Sequence, residues 1–314
     1  MARKLFLEGN WNTLSGHIDV ASPTANRSAP RVAPAAGSAV DESADDSDKP
    51  FELNRKFSVS NMDEKIVEAK YAVRGSVVQR AGELKKALAA GDPLPFNQLI
   101  FCNIGNPHAV NQKPITFYRQ VAAALYMPEL ASDPDKLTAS GLFPADVVER
   151  AQEYLKATGG NGVGSYTDSI GLQLVREQVA SFIEERDGFP ADPNSIALTT
   201  GASEGVKRCI SAIIAGDQDG IMIPRPQYPL YSAALTMAGG NAIYYDLNED
   251  AGWKTSFAEL ERAYHAATAA GTWVRALAII NPGNPVGAVL DEEDVSELVA
   301  FAAAKSLVIL ADEV

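Results

Sequence analysis

From residue 195 to the carboxyl end, short apolar runs alternate with stretches of helical spacing, and no other feature constrains the fold as strongly. Strands are expected at Ser195–Thr200, Asp219–Ile223, Ala242–Asp246, Val274–Asn281 and Ser306–Ala311. Helices are expected between them, at Ser203–Ala215, Leu230–Ala238, Ser256–Ala269 and Asp291–Ala304. Strands joined through helices imply an α/β fold with a mostly parallel sheet covered on both faces. No internal repeat competes with this pattern. A ligand of such a sheet collects at the carboxyl ends of its strands, so the residues there carry the functional question.

Upstream, Ile66, Val73, Val77, Leu84 and Leu88 follow helical spacing with a break at Gly75. Val147, Ala151, Tyr154 and Leu155 mark another helix, and Leu172, Val175, Val179, Phe182 and Ile183 a third. Residues 14–50 are rich in Ala, Ser, Pro and Asp, and Asp41–Asp48 places five acids in eight positions. Such a stretch cannot bury enough apolar surface to offset its ordering entropy. The expected organisation is therefore a disordered or low-complexity arm over 1–60, an N-terminal segment with part of a small domain over 61–160, and a large α/β domain over 161–314. Arg3, Lys4, Arg27 and Arg31 among small residues favour a mitochondrial leader, while Glu8 and Asp19 oppose it. A cytoplasmic location is expected, with a mitochondrial one as the alternative. Arg3–Asn12, RKLFLEGNWN, resembles the first strand of triosephosphate isomerase; Asn12 replaces the catalytic lysine of that family, and no isomerase function follows.

The net charge is −13, with only 27 basic residues in 314, which argues against nucleic acid or an anionic membrane as a partner. No apolar run approaches the ~20 residues needed to cross a bilayer. Cys102 and Cys209 cannot make a disulfide framework, and their apolar neighbours predict small buried hydrophobes. His17, His108 and His265 show no metal-ligand spacing. The glycines of Gly159–Gly164 do not fit G-x-G-x-x-G and follow a helix, so a flexible loop is expected; no P-loop pattern occurs.

Four strand ends remain. Gly201-Ala202-Ser203 joins a strand to a helix, with Ser203 as the expected N-cap; this is either a plain capped turn or an anion site at the helix's positive end. Pro224–Tyr231, PRPQYPLY, is stiffened by three prolines and offers Tyr228 either as a flat platform or as packing on the sheet. In Asn281-Pro282-Gly283-Asn284-Pro285, Asn284 precedes a proline and is pushed to extended geometry, which lets its amide reach the crevice. Asp312 sits at the end of an apolar run expected to be a buried strand, and a buried carboxylate needs a cation. Lys305 lies at the opposite end of that strand, so the missing cation could belong to a ligand, such as a protonated pyridine nitrogen.

Together these residues resemble the pyridoxal-phosphate enzymes of the aspartate aminotransferase fold, in particular the alanine aminotransferases. The resemblance runs from about Tyr71 to Val314 through YAVRGSVVQRA, PITFYRQV, GSYTDSIGLQLVREQVASFIEERDG, TTGASEGV, PQYPLYSA, INPGNPVG and LADEV. It implies roles residue by residue. Gly201, Ala202 and Ser203 frame the pyridoxal 5'-phosphate phosphate site, Tyr228 stacks on the ring, Asn284 bonds its phenolic oxygen and Asp312 faces its nitrogen. Tyr166 in GSYTDSIG would reach the phosphate across a homodimer interface, and Gly105 in NIGNP would line the substrate carboxylate pocket.

The same resemblance implies parts this chain does not show. The Schiff-base lysine of the family follows the strand bearing the ring-nitrogen aspartate, and neither Lys207 nor Lys305 matches its motif. The expectation is the N-terminal part of an enzyme that moves an amino group between L-alanine and 2-oxoglutarate, inactive by itself. The alternatives are another aminotransferase of this fold or an aminocyclopropane-carboxylate synthase, and a non-catalytic remnant that partners a complete subunit.

Overall fold

A computed structural model describes residues 62–71 and 75–314. The low-complexity arm, the basic positions near the start, Arg3–Asn12 and Val73 lie outside the described residues. Helices α1 (Glu64–Glu68) and α2 (Ser76–Ala90) flank the break expected at Gly75, which is the N-cap of α2. Next come α3 (Thr116–Tyr126), α4 (Pro134–Ala139), α5 (Ala145–Ala157) and α6 (Gln173–Asp187). Val121 and Ala124 of α3, Leu137 of α4, and Val147, Val148 and Ala151 of α5 are buried. The sequence reading found α5 and α6 but not α3 or α4, which have prolines close to their ends.

The remainder is a four-stranded parallel sheet of order β2-β1-β3-β4. Its strands are β1 (Asp219–Arg225), β2 (Asn241–Asp246), β3 (Trp273–Asn281) and β4 (Val308–Glu313). The connecting helices are α7 (Ala202–Ile213), α8 (Leu230–Ala238), α9 (Phe257–Ala269) and α10 (Glu292–Ala304). Alternation along each strand splits the core in two. Met222, Ile243, Tyr245, Leu277 and Ile279 meet Leu260 of α9 and Leu298 and Phe301 of α10 on one face. Ile221, Ile223, Ala276, Ala278 and Ile280 meet Ile210 of α7 and Tyr231 and Leu235 of α8 on the other.

The amino end of the sheet is closed by charge. The buried Asp219 carboxylate accepts from Arg275 Nε at 2.6 Å and from the N–H groups of Ala215 and Gly216 at 2.8 and 3.2 Å. Arg275 and those N–H groups hold its carboxyl below the usual carboxylate range.

Four expectations need correction. Ser195–Thr200 is not a strand: Ile196 is extended, but no ladder partner exists among the described residues, and Leu198 N–H donates only to the Ile170 carbonyl at 2.9 Å. β4 is not buried on both sides. It is an edge strand paired only with β3 among the described residues, so its side chains stay partly exposed. Both cysteines are exposed, because Cys209 faces an open cleft beside β4 and Cys102 lies in a loop with exposed Phe101 and Ile104. The Gly159–Gly164 loop is pinned rather than loose. Val163 N–H donates to the Leu125 carbonyl at 3.2 Å, Gly162 N–H to Thr158 Oγ1 at 3.1 Å, and a Cβ on Gly162 would lie 2.1 Å from the Leu125 oxygen.

Candidate functional site

Parallel register brings three of the anticipated turns to one end of the sheet. β1 ends at Arg225, and its turn leads through Tyr228 into α8. β3 ends at Asn281, three residues before Asn284. Across the β3–β4 ladder, Ile280 pairs with Asp312 and Asn281 with Glu313. The Tyr228 turn, the Asn284 turn and Asp312 therefore stand at the carboxyl ends of three adjacent strands.

The start of α7 shares a cleft with the Asp312 end of β4. Gly201 is the N-cap with φ 78°, a conformation closed to most side chains, which lets the chain turn sharply into the helix. Ser203 is not the N-cap that was expected. The helix begins at Ala202, and because Gly201 makes the turn, the Ser203 hydroxyl is not used as a cap and stays exposed. First-turn N–H groups of a helix have no intrahelical partner and face its positive end. Ala202, Val206 and Cys209 of α7, Tyr231 of α8, and Ile309–Glu313 of β4 line one open cleft of about 460 Å³.

Asp312 is half-buried at the rim of this cleft. Its Oδ2 accepts a hydrogen bond from the Tyr231 hydroxyl at 2.6 Å. No cation pairs with it among the described residues. Lys305 is instead committed to Glu261 at 2.9 Å, at the other end of β4. Burial first, and the adjacent Asp312 carboxylate second, push the Tyr231 phenol well above its ordinary range, so this hydroxyl stays a donor.

Tyr228 is half-buried, and its hydroxyl is hydrogen-bonded to that of Tyr71, with the two rings edge to face at 6.1 Å and 80°. Just before it, Gln227 Nε2 donates to Ser232 Oγ at 3.1 Å, while Gln227 Oε1 is a buried acceptor with no partner among the described residues. In the Asn281–Pro285 turn the two asparagines differ. Asn281 Oδ1 accepts from Leu290 N–H at 3.1 Å and staples the turn, whereas Asn284 is exposed and borders a small cavity beneath it.

Of the anticipated residues only Ala202 and Asp312 line this cleft; Gly201, Ser203 and Tyr228 lie outside its lining, Asn284 borders the separate cavity, and Tyr166 and Gly105 lie on other loops. Tyr166 is fully exposed on the loop ahead of α6, and Gly105 lies in an exposed loop with open space where a side chain would project. The residue the sequence reading passed over is Tyr231. The signal was the Tyr-x-x-Tyr spacing in PQYPLY, which carries a second tyrosine from the turn into the first turn of α8.

A family model described as aminotransferase class I and II matches residues 131–314. Glutamate–glyoxylate aminotransferase 1 of Arabidopsis thaliana is 46% identical over 260 residues, covering 83% of this chain and 52% of that protein. Alanine aminotransferase 1, mitochondrial, of the same plant is 43% identical over 258 residues, covering 82% and 47%. The chain thus spans about half the length of the curated relatives it matches. An alanine aminotransferase structure from Pyrococcus furiosus superposes with a TM-score of 0.59 over 79% of this chain and 51% of that one, at 22% identity, a likeness of fold. With the family model spanning more than half its length, the chain belongs to the class I and II aminotransferases.

Proposed function

We propose that this chain forms the cofactor-binding part of an alanine-type aminotransferase that uses pyridoxal 5'-phosphate. The observation that carries the reading is Asp312, a half-buried carboxylate on a cleft rim with a hydroxyl partner and no cation among the described residues. A protonated pyridine nitrogen would supply the missing charge. The rest of the donor set fits a phosphorylated heteroaromatic. Gly201 shapes the turn, and the Ala202 and Ser203 N–H groups with the Ser203 hydroxyl would take the phosphate. Tyr228 would lie against the ring face, and the Asn284 amide would bond the phenolic oxygen.

When bound, this cofactor supplies an electron sink for charge developing at a substrate α-carbon. The residues of this chain would bind and orient: Asp312 would hold a proton on the ring nitrogen, Ser203 would fix the phosphate end, and Tyr228 would cover one face. No lysine here matches the family's Schiff-base motif, so we assign this chain no proton transfer at substrate carbon. In the longer protein the exchange would run between L-alanine and 2-oxoglutarate, giving pyruvate and L-glutamate. Gly105 would line the substrate carboxylate pocket, and Tyr166 would reach the phosphate of a second subunit in a homodimer. A second reading takes glyoxylate as the oxo acid, favoured by the 46% identity to a glutamate–glyoxylate aminotransferase. Relatives named mitochondrial and the basic residues near the start support the mitochondrial alternative over the cytoplasm.

The test is equilibrium binding of pyridoxamine phosphate, which needs no lysine, followed by ring fluorescence on the 314-residue chain. Saturable binding that Asp312→Ala weakens at least about tenfold is expected, the size of one charged contact. Equal affinity in the two proteins would sink the reading.

A further inference from the structure

Tyr231 has a hydroxyl that the packing of its ring does not require. The side chain is 1% exposed and fills the core beside Ile210, Leu235 and Ala278, where phenylalanine would pack equally well. A buried hydroxyl without a partner is costly, so its presence calls for an acceptor. The acceptor is Asp312 Oδ2 at 2.6 Å, 81 residues away in sequence. Asp312 has a short side chain on an edge strand whose outer side carries no partner strand among the described residues. Without a fixed contact, its carboxylate would sample several rotamers. With Oδ2 held, Oδ1 has no protein hydrogen bond among the described residues and is the oxygen left for a ligand.

The spacing adds a second consequence. Tyr228 stands just before α8 and Tyr231 in its first turn, three residues on. The turn bearing Tyr228 and the residue that anchors the Asp312 carboxylate therefore lie on one short stretch of chain. We propose that Tyr231 is a positioning residue that locks the Asp312 rotamer toward the pyridine nitrogen, so that a single turn of chain sets both the face and the edge of the bound ring. This rests on the cofactor reading given above. Burial raises the phenol well above its ordinary range, so this hydroxyl stays a donor.

The test compares two probes on wild type, Tyr231→Phe, Asp312→Ala and the double variant. One probe is pyridoxamine phosphate; the other is its 1-deaza analogue, with CH in place of the ring nitrogen. Tyr231→Phe is expected to weaken pyridoxamine phosphate about fivefold to tenfold, the scale of one hydrogen bond to a charged group, and to leave the analogue unchanged. On the Asp312→Ala background, Tyr231→Phe is expected to add no further loss for either probe. Equal losses for both probes would mark a merely structural tyrosine and overturn the proposal, as would an unchanged affinity for pyridoxamine phosphate. Failure of the wild-type chain to bind pyridoxamine phosphate, or full binding by Asp312→Ala, would instead overturn the cofactor reading and the proposal with it.

Discussion

On the face covered by α9 and α10, the sheet is sealed; on the face covered by α7 and α8, it opens at one end. The sealed face is built around Phe301, fully buried, with the rings of Phe257 and Tyr264 edge-on at 5.8 and 6.2 Å. The Tyr245 hydroxyl within it donates to the Ala278 carbonyl at 2.8 Å, and a small cavity lies beneath the Asn284 turn. The open face packs equally closely over β1 and β3, then gives way beside β4 to a cleft edged by Asp312, Tyr231 and Cys209. The same alternation of side chains serves both faces. The difference is local: among the described residues β4 pairs with β3, and its Asp312 stands half-buried at the cleft rim, where a carboxylate is tolerated better than in the core of the other face. One face supplies stability, and the other supplies a place for charge.

The division predicts where substitutions should register. Phe301→Ala on the sealed face should cost about 3–5 kcal/mol in urea unfolding, through lost burial and a residual cavity. Tyr245→Phe should cost about 1 kcal/mol, the net value of one internal hydrogen bond, and should leave pyridoxamine phosphate affinity unchanged. An Asp312→Ala protein as destabilised as Phe301→Ala would break the comparison, because it would give the open face a structural duty equal to that of the sealed one.

Much of this asymmetry was hidden in the sequence. The rhythm of strands and helices was legible because apolar spacing reports burial locally: α8 ends where the pattern predicts, and β1, β2 and β3 begin within one residue of their expected starts. The strand ends were legible too, since Asn, Pro, Gly and Asp at a strand terminus are unusual enough to stand out. What could not be read was pairing. The apolar runs Ser195–Thr200 and Leu307–Leu310 look like the run of β3, yet among the described residues one is not a strand and the other pairs with β3 alone. A run of apolar residues records a preference for burial and does not name the partner that provides it. The contact between Tyr231 and Asp312 was invisible for the same reason, being 81 residues long. The position of Ser203 was misread because Gly201, at positive φ, took over the turn that the serine was expected to cap.

A chemical probe sharpens the picture of the open face. Cys209 lines the cleft with Asp312, while Cys102 lies in a separate loop, so Cys102→Ser isolates one reporter. Pyridoxamine phosphate at ten times its Kd should slow alkylation of Cys209 about tenfold, since about nine tenths of the clefts are then filled. Labelling that is indifferent to saturating ligand would place the ligand elsewhere.

The smallest effect belongs to the rim of the sealed face, where charge serves only the helix. Asp291 caps α10 in a reciprocal box with Asp294, each side chain accepting from the other's N–H at 3.0 Å. Lys254 Nζ bridges both carboxylates at 2.5 and 3.0 Å. Lys254, and then the Asp294 N–H, hold the Asp291 carboxyl down to about 2. A carboxyl held below its unfolded value of about 3.9 stabilises the fold above that value, and the contribution fades as pH falls toward 2. Thermal unfolding of wild type and Lys254→Met should therefore differ slightly at neutral pH, with the wild type higher, and the gap should close between about pH 4 and pH 2. Both partners are exposed, so 1 M salt should narrow the gap at every pH. A gap that survived at pH 1.5 in high salt would show that Lys254 acts through packing of its stem, making the rim an extension of the sealed core rather than its charged border.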